Sequence, residues 1–168
     1  MIHIVLYEPE IPQNTGNIMR TCMAFDMKLH LIEPLGFRLD EKHLRRAGMD
    51  YVKSLDYTIH ENWESFVRQN KGVYFYSTRY GFKSPDQFDF SEIKEDIYLI
   101  FGKESTGIPK EILRNDLDHC MRIPMNANAR SLNLSNCVAI VAYEVLSQRN
   151  YEDLSHYEVI KGKDWLLR

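Results

Sequence analysis

Ile123-Pro124-Met125-Asn126-Ala127-Asn128-Ala129-Arg130-Ser131-Leu132-Asn133-Leu134-Ser135-Asn136 runs directly into Cys137-Val138-Ala139-Ile140-Val141-Ala142-Tyr143-Glu144. The first part reads as a loop, because Pro124 and the Asn/Ala/Ser run do not supply a packed strand. From Asn133 the pattern turns helical, with Leu134, Val138, Val141 and Val145 on one face. Ser131 stands where a hydroxyl would cap the first turn. Free N–H groups and small polar side chains then face one spot, an arrangement suited to holding a small polar ligand. The helix is apolar almost all round, which requires cover from this domain or from a partner.

Working outward, the same strand–loop–helix grammar repeats. Ile2–Leu6 is a buried strand, broken by Glu8-Pro9-Glu10-Ile11-Pro12. A helix opens at Asn14-Thr15-Gly16-Asn17 and runs to about Phe25, with Ile18, Cys22 and Phe25 inward and Met19 and Met23 outward. Strands are predicted at Lys28–Ile32, Leu55–Ile59, Val73–Thr78, Ile97–Phe101 and Cys120–Ile123. Helices are predicted over Glu41–Ala47, Asn62–Asn70 (Trp63, Phe66 and Val67 inward) and from Pro109 to about Asn115. Phe82–Phe90 reads as a polar loop around Pro85, and the tail at about 150–168 as a docked terminal helix. Strands alternating with helices argue an α/β fold, a mostly parallel sheet flanked by helices, in one domain over 1–168.

Composition narrows the function classes. The 168 residues are 44% hydrophobic and 27% charged, which suits a soluble globular domain of cytoplasmic type. No apolar run is long enough to span a membrane, and the N-terminal run lacks the basic flank of a signal peptide. Cys22, Cys120 and Cys137 are widely spaced and read as reduced thiols. A net charge of −3 means that any nucleic-acid surface must be local.

Three loops follow strands and are rich in Gly, Asn, Ser or Pro: Glu8–Asn17, Gly102–Pro109 and Ile123–Ser135. In parallel sheets ligands bind beyond the carboxyl ends of strands, so these loops share one candidate crevice. No G-x-G-x-x-G follows a strand, and Gly102-Lys103 lacks the upstream glycine of a phosphate loop. Nothing has metal-ligand spacing. Ser131 has no nearby His–carboxylate pair to activate it as a nucleophile. Asn17 and Arg20 share a face of the first helix; Arg20 is either salt-bridged structure or a phosphate or ribose contact. The Lys42–Arg46 cluster is either a solvated face or a grip on nucleic acid. Glu104 either contacts ligand or caps the next turn, and Tyr143 reads first as core.

In this order, Asn14-Thr15-Gly16-Asn17-x-x-Arg20, Phe101-Gly102-x-Glu104-x-x-Gly107-Ile108-Pro109 and Ile123-Pro124-Met125-x-x-x-x-Arg130-Ser131-Leu132-Asn133-Leu134-Ser135 resemble the three motifs of the knotted SPOUT methyltransferases that modify ribose 2′-hydroxyls. Tyr7-Glu8-Pro9-Glu10-Ile11-Pro12 and Leu44-Arg45-Arg46-Ala47-Gly48-x-Asp50-Tyr51 narrow the likeness to the small tRNA (cytidine/uridine) 2′-O-methyltransferases of the wobble position. The resemblance covers about Ile2 to Gln148. It implies S-adenosylmethionine as donor, a C-terminal deep trefoil knot, a homodimer and the anticodon stem-loop of tRNA, of leucine isoacceptors, as substrate. It implies no metal. Carried over residue by residue, Ser77, Gly102, Ile123, Ser131 and Leu132 would bind the cofactor. Leu99-Ile100-Phe101 would help build an adenine slot, with Gly102 leaving room for the ligand. Arg20, Asn17, Ser131 and Asn133 would form the catalytic group; Asn14, Glu104, Arg45, Arg46 and Tyr143 would bind or position the substrate. Because arginine stays protonated, stabilising a developing alkoxide is the physically safer role for Arg20 than general base. Another tRNA position or ribosomal RNA is the nearest alternative target. The family's rRNA enzymes carry an added N-terminal domain, absent here. A non-catalytic RNA-binding protein on the same fold is a further alternative, opposed by the intact Arg20, Glu104, Ser131 and Asn133.

Overall fold

The computed structural model describes residues 1–40, 42 and 54–168. Arg45, Arg46 and most of the helix expected over Glu41–Ala47 lie outside the described residues.

Six strands form one sheet: β1 (Ile2–Tyr7), β2 (Lys28–Ile32), β3 (Tyr57–His60), β4 (Val73–Ser77), β5 (Ile97–Phe101) and β6 (Cys120–Met121). Their spatial order is β3-β2-β1-β5-β4-β6, and every pairing is parallel. The α/β expectation therefore holds. Parallel strands covered on both faces read as continuous apolar runs, which is why Ile97–Phe101 is buried at every position.

Four helices complete the described fold: α1 (Pro12–Ala24), α2 (Trp63–Gln69), α3 (Lys110–Arg114) and α4 (Leu134–Gln148). On one sheet face Ile4, Leu6, Leu29, Leu31, Leu99 and Phe101 pack with Ile18, Met19 and Cys22 of α1 and Val138, Val141, Ala142 and Val145 of α4. On the other face Val5, Ile32, Tyr76, Tyr98 and Ile100 pack with Phe66 of α2 and Leu113 of α3. Pro12 opens α1 where its missing N–H costs nothing. Asn62 caps α2 by accepting from the Ser65 N–H at 2.8 Å.

Several expectations change. Met19 is fully buried rather than outward, because α1 is covered by both the sheet and α4. Trp63 and Val67 are only half-buried, with Phe66 alone in the interior. The loop expected to be polar at Phe82–Phe90 is tethered by aromatics. Phe90 is fully buried and meets Phe75 edge-on with ring centroids 4.8 Å apart. The tail does not dock as a helix: it ends in a single 3-10 turn, Trp165–Leu167, with Ile160, Leu166 and Leu167 exposed. Cys22 and Cys120 are buried and Cys137 half-buried, all as free thiols.

The segment after β4 is fixed on two sides. Thr78 N–H donates to Met121 O (2.9 Å) and Arg122 N–H to Lys83 O (2.8 Å), beside β6. Further on, Phe90 N–H donates to Gln148 Oε1 (2.9 Å), while Arg149 donates to Ile93 O (3.0 Å), at the far end of α4.

Candidate active site

Chain order and sheet order part company between β1 and β5. From β1 the chain proceeds outward through β2 to β3, and from β5 it leaves towards β6. The loops leaving these two neighbours diverge, and a crevice opens at such a switch point. The loops after β1 and β5 meet there. The Glu104 carboxylate accepts from Glu10 N–H (2.8 Å), Ile11 N–H (3.1 Å) and Asn14 Nδ2 (3.3 Å). Asn14 is buried, and its Oδ1 accepts from Asn133 Nδ2 at 2.9 Å. Asn133 Oδ1 in turn accepts from Ser135 N–H (2.9 Å) and Asn136 N–H (3.4 Å), capping α4. One relay, Glu104–Asn14–Asn133, thus ties all three loops together.

Two further contacts brace the first pair of loops. Lys103 Nζ reaches Glu8 Oε2 at 2.7 Å. Glu10 accepts from Ser105 N–H (2.9 Å) and Ser105 Oγ (2.8 Å), which hold its carboxyl below the usual range. Glu8, Lys103, Glu10 and Ser105 stand outside the residues expected to form the site. The signal available was their matched spacing, two acids two apart on one loop and a cation and a hydroxyl two apart on the other.

The relay revises individual assignments. The α4 cap is Asn133, and Ser131 lies exposed two residues earlier. Glu104 neither caps the next turn nor faces outward unengaged; its oxygens hold the backbone of the Glu8–Asn17 loop. Gly102 is small for a different reason than ligand space. A Cβ there would sit 2.2 Å from the Gly107 carbonyl carbon and 2.3 Å from Ile108 N, so its own loop folds over it. Leu99, Ile100 and Phe101 are fully buried in the sheet and offer no slot.

The remaining residues fall in two groups. Ser77 ends β4 in register with Phe101 and Met121, so Ser77, Gly102 and Ile123 sit at adjoining strand ends, each half-buried. Ser131 and Leu132 lie exposed on the third loop. Half-buried apolar and small side chains beside strand-end backbone suit an adenosine. Arg20 and Asn17 are exposed on α1. Tyr143 is 54% exposed, against the core reading, and its hydroxyl shares a 2.9 Å hydrogen bond with that of Tyr151. A separate groove of about 560 Å³ is lined by Phe25, Pro85, Ile123, Pro124, Ile140 and Tyr143. It shares only Ile123 with the expected cofactor residues. Among the described residues no His, Cys, Asp or Glu cluster is arranged to hold a metal ion, and no helix is long and apolar enough to cross a membrane.

Residues 1–143 match the family described as SpoU rRNA Methylase. The chain belongs to this family. A Saccharophagus degradans relative, tRNA (cytidine(34)-2′-O)-methyltransferase, is 46% identical over 154 residues, covering 90% of this chain and 97% of that protein. A Bacillus subtilis relative that bears the same name provisionally is 48% identical, covering 91% of this chain and 96% of that protein. A solved structure concerned with 2-OH methylation of C/U34 on tRNA has a TM-score of 0.81 at 40% identity, over 89% of this chain and 97% of that one. An AdoMet-bound rRNA methyltransferase from Sinorhizobium meliloti has a TM-score of 0.75 at 25% identity, over 87% of this chain and 56% of that one.

Proposed function

We propose that this SpoU-family protein transfers the methyl group of S-adenosylmethionine to the ribose 2′-hydroxyl of the wobble nucleotide, position 34, of tRNA. The Glu104–Asn14–Asn133 relay carries the reading, because it fixes the three motif loops of a methyltransferase at one switch point. When bound, the donor supplies an electrophilic methyl on a positively charged sulfur. Ser77, Gly102, Ile123, Ser131 and Leu132 hold it at the ends of β4, β5 and the third loop. With the donor bound, its methyl would pass to the ribose 2′-oxygen, the sulfur leaving as the thioether of S-adenosylhomocysteine and the hydroxyl proton passing to solvent. Arg20, remaining protonated, stabilises the oxygen as it gains negative charge and grips the adjacent phosphate, with Asn17 orienting the ribose. Arg45 and Arg46 supply phosphate contacts on the stem-loop.

The working unit is a homodimer in the cytoplasm, each 1–168 chain a single catalytic domain with a trefoil knot near its C-terminal end. Supporting the dimer, Ile140 is 45% exposed and lies with Tyr143 and Phe25 around the open groove on α1 and α4. An isologous contact there brings Arg20 of one subunit to the cofactor loops of the other. Supporting the knot, the segment after β4 is held by β6 on one side and by the end of α4 on the other, as a threaded chain requires. Mass spectrometry of tRNA nucleosides from a deletion strain tests the function. Loss of 2′-O-methylated cytidine and uridine derivatives from leucine tRNAs is expected. An unchanged tRNA profile with a methyl lost from rRNA contradicts it.

A further inference from the structure

Arg79-Tyr80-Gly81-Phe82-Lys83 leaves the end of β4 with two aromatic rings turned to solvent. Tyr80 is 71% and Phe82 89% exposed, although both are large and apolar enough to belong inside. The loop that carries them is not loose. It is pinned to β6 at both ends by Thr78 N–H to Met121 O (2.9 Å) and Arg122 N–H to Lys83 O (2.8 Å). The Arg122 side chain also donates to Arg79 O at 2.7 Å. Gly81 permits this closeness, since a Cβ there would lie 2.6 Å from the Met121 carbonyl carbon. Two rings are therefore displayed on a fixed backbone.

Arg79, Lys83 and Arg122 flank them, with Asp86 and Asp89 further along the same loop. The Arg79 guanidinium lies 5.8 Å from the Tyr80 ring centroid, and Lys83 Nζ lies 5.5 Å from that of Phe88. Among the described residues no ion pair joins Arg79, Lys83 or Arg122 to a carboxylate. In a chain of net charge −3 this is a local positive patch interleaved with aromatics. It adjoins the reaction site, because Ser77 immediately precedes the loop and Arg122 immediately precedes Ile123. Rigid exposed rings with flanking cations match unpaired nucleotides, whose bases stack and whose phosphates pair, better than duplex, whose bases are already stacked.

We propose that Tyr80 and Phe82 form a stacking platform for unpaired bases of the RNA loop that carries the target nucleotide, with Arg79 and Lys83 on its phosphates. The proposal rests on the reading of the chain as an anticodon-loop methyltransferase and assigns to it a base-binding surface. Fluorescence anisotropy with a labelled leucine-tRNA anticodon stem-loop, and with a fully paired duplex of the same length, tests it across a salt series. Tyr80→Ala/Phe82→Ala should weaken stem-loop binding by about 5- to 150-fold per ring lost, with little change for duplex and an unchanged salt slope. Tyr80→Phe/Phe82→Tyr should restore it. Arg79→Gln/Lys83→Gln should instead reduce the salt slope by about 0.7 per charge. If the wild type favours the stem-loop and the double alanine variant binds it equally well, the platform is wrong while the tRNA reading stands. If that variant instead dissociates the dimer in sedimentation, the rings are a protein interface and the platform is likewise wrong. If the wild type shows no preference for stem-loop over duplex, the anticodon-loop reading itself fails.

Discussion

Two polar networks divide the labour in this molecule. At the carboxyl ends of the strands, Glu104, Asn14 and Asn133 link three loops, and most of their partners are backbone N–H groups. Inside the sheet, His3, His30 and His60 form a chain across β1, β2 and β3. His3 Nδ1 lies 2.9 Å from His30 Nε2, and His30 Nδ1 lies 2.9 Å from His60 Nε2. Asp96 lies at its end, 3.4 Å from His3 Nε2, with no hydrogen bond formed between them. All three histidines are almost fully buried, among Tyr98, Tyr74 and Phe66. One proton order serves both bonds: His60 Nε2 donates to His30 Nδ1 and His30 Nε2 to His3 Nδ1, which leaves the His3 proton on Nε2, facing the Asp96 carboxylate; the order is assigned from the network. The loop relay holds three loops together at the proposed site, whereas the histidine chain pairs ring nitrogens that the sheet has buried. Disturbing the first should alter turnover more than stability, and disturbing the second should do the reverse.

The sharpest break between them is Arg20→Ala. On the role proposed for Arg20, removing the cation that meets the developing oxyanion should lower methyl transfer by about 100- to 1,000-fold. The melting temperature should fall by only a few degrees, because Arg20 is exposed on α1, where a surface contact is worth about 0–1 kcal/mol. Single-turnover transfer and a thermal melt on one preparation check both halves.

The histidine chain answers to pH. Burial is the main force lowering the His30 pKa, to about 3, with His3, His60 and Lys28 adding to it. A folded-state pKa below the unfolded value means full stability above about pH 6.5, lost progressively as pH falls towards 3. For His30 alone the loss between pH 7 and pH 4 should be about 3 kcal/mol. Urea unfolding of the wild type and of His30→Leu should show a shallower acid slope in the variant. Equal slopes would mean that carboxylates alone govern the acid limb.

Glu104→Gln keeps the shape of the relay and replaces a charged acceptor with an amide. The Glu10 and Ile11 N–H groups then compete for one oxygen, which should cost about 1–2 kcal/mol of stability. The larger effect should be on transfer, since the first loop carries Arg20's helix. Asn133→Ala is milder still for the fold. Loss of the α4 cap should cost about 1 kcal/mol, measurable in urea, with raised KM as the third loop loses its tie to Asn14.

The two networks differ just as much in how far the chain announces them. β2 and β5 were legible to the residue, because Lys28–Ile32 and Ile97–Phe101 are apolar runs bounded by breakers. The three loops were legible as motifs, and the switch point brings them together. Finer placements were not. Ser131 and Asn133 are both competent caps, and only the backbone shows which precedes the first helical residue. Gly102 looked like ligand space, yet its constraint comes from Gly107 and Ile108, folded back by a turn that its local sequence does not reveal. Met19 falls off the inward face of α1 when one covering surface is assumed, and α1 has two, the sheet and α4. The histidine chain was invisible: it depends on strand order and register linking residues 27 and 30 apart in sequence. Phe88 and Phe90 were hidden in a stretch whose polar neighbours suggested solvent.

The central claim is that the loops joined by Glu104, Asn14 and Asn133 deliver a methyl group to one ribose oxygen. Labelled methyl transfer to two synthetic leucine-tRNA anticodon stem-loops tests it most directly, one all-ribose and one with 2′-deoxyribose at position 34 alone. Transfer to the first and none to the second is the predicted result. Equal transfer to both would place the reaction at another atom and contradict the account.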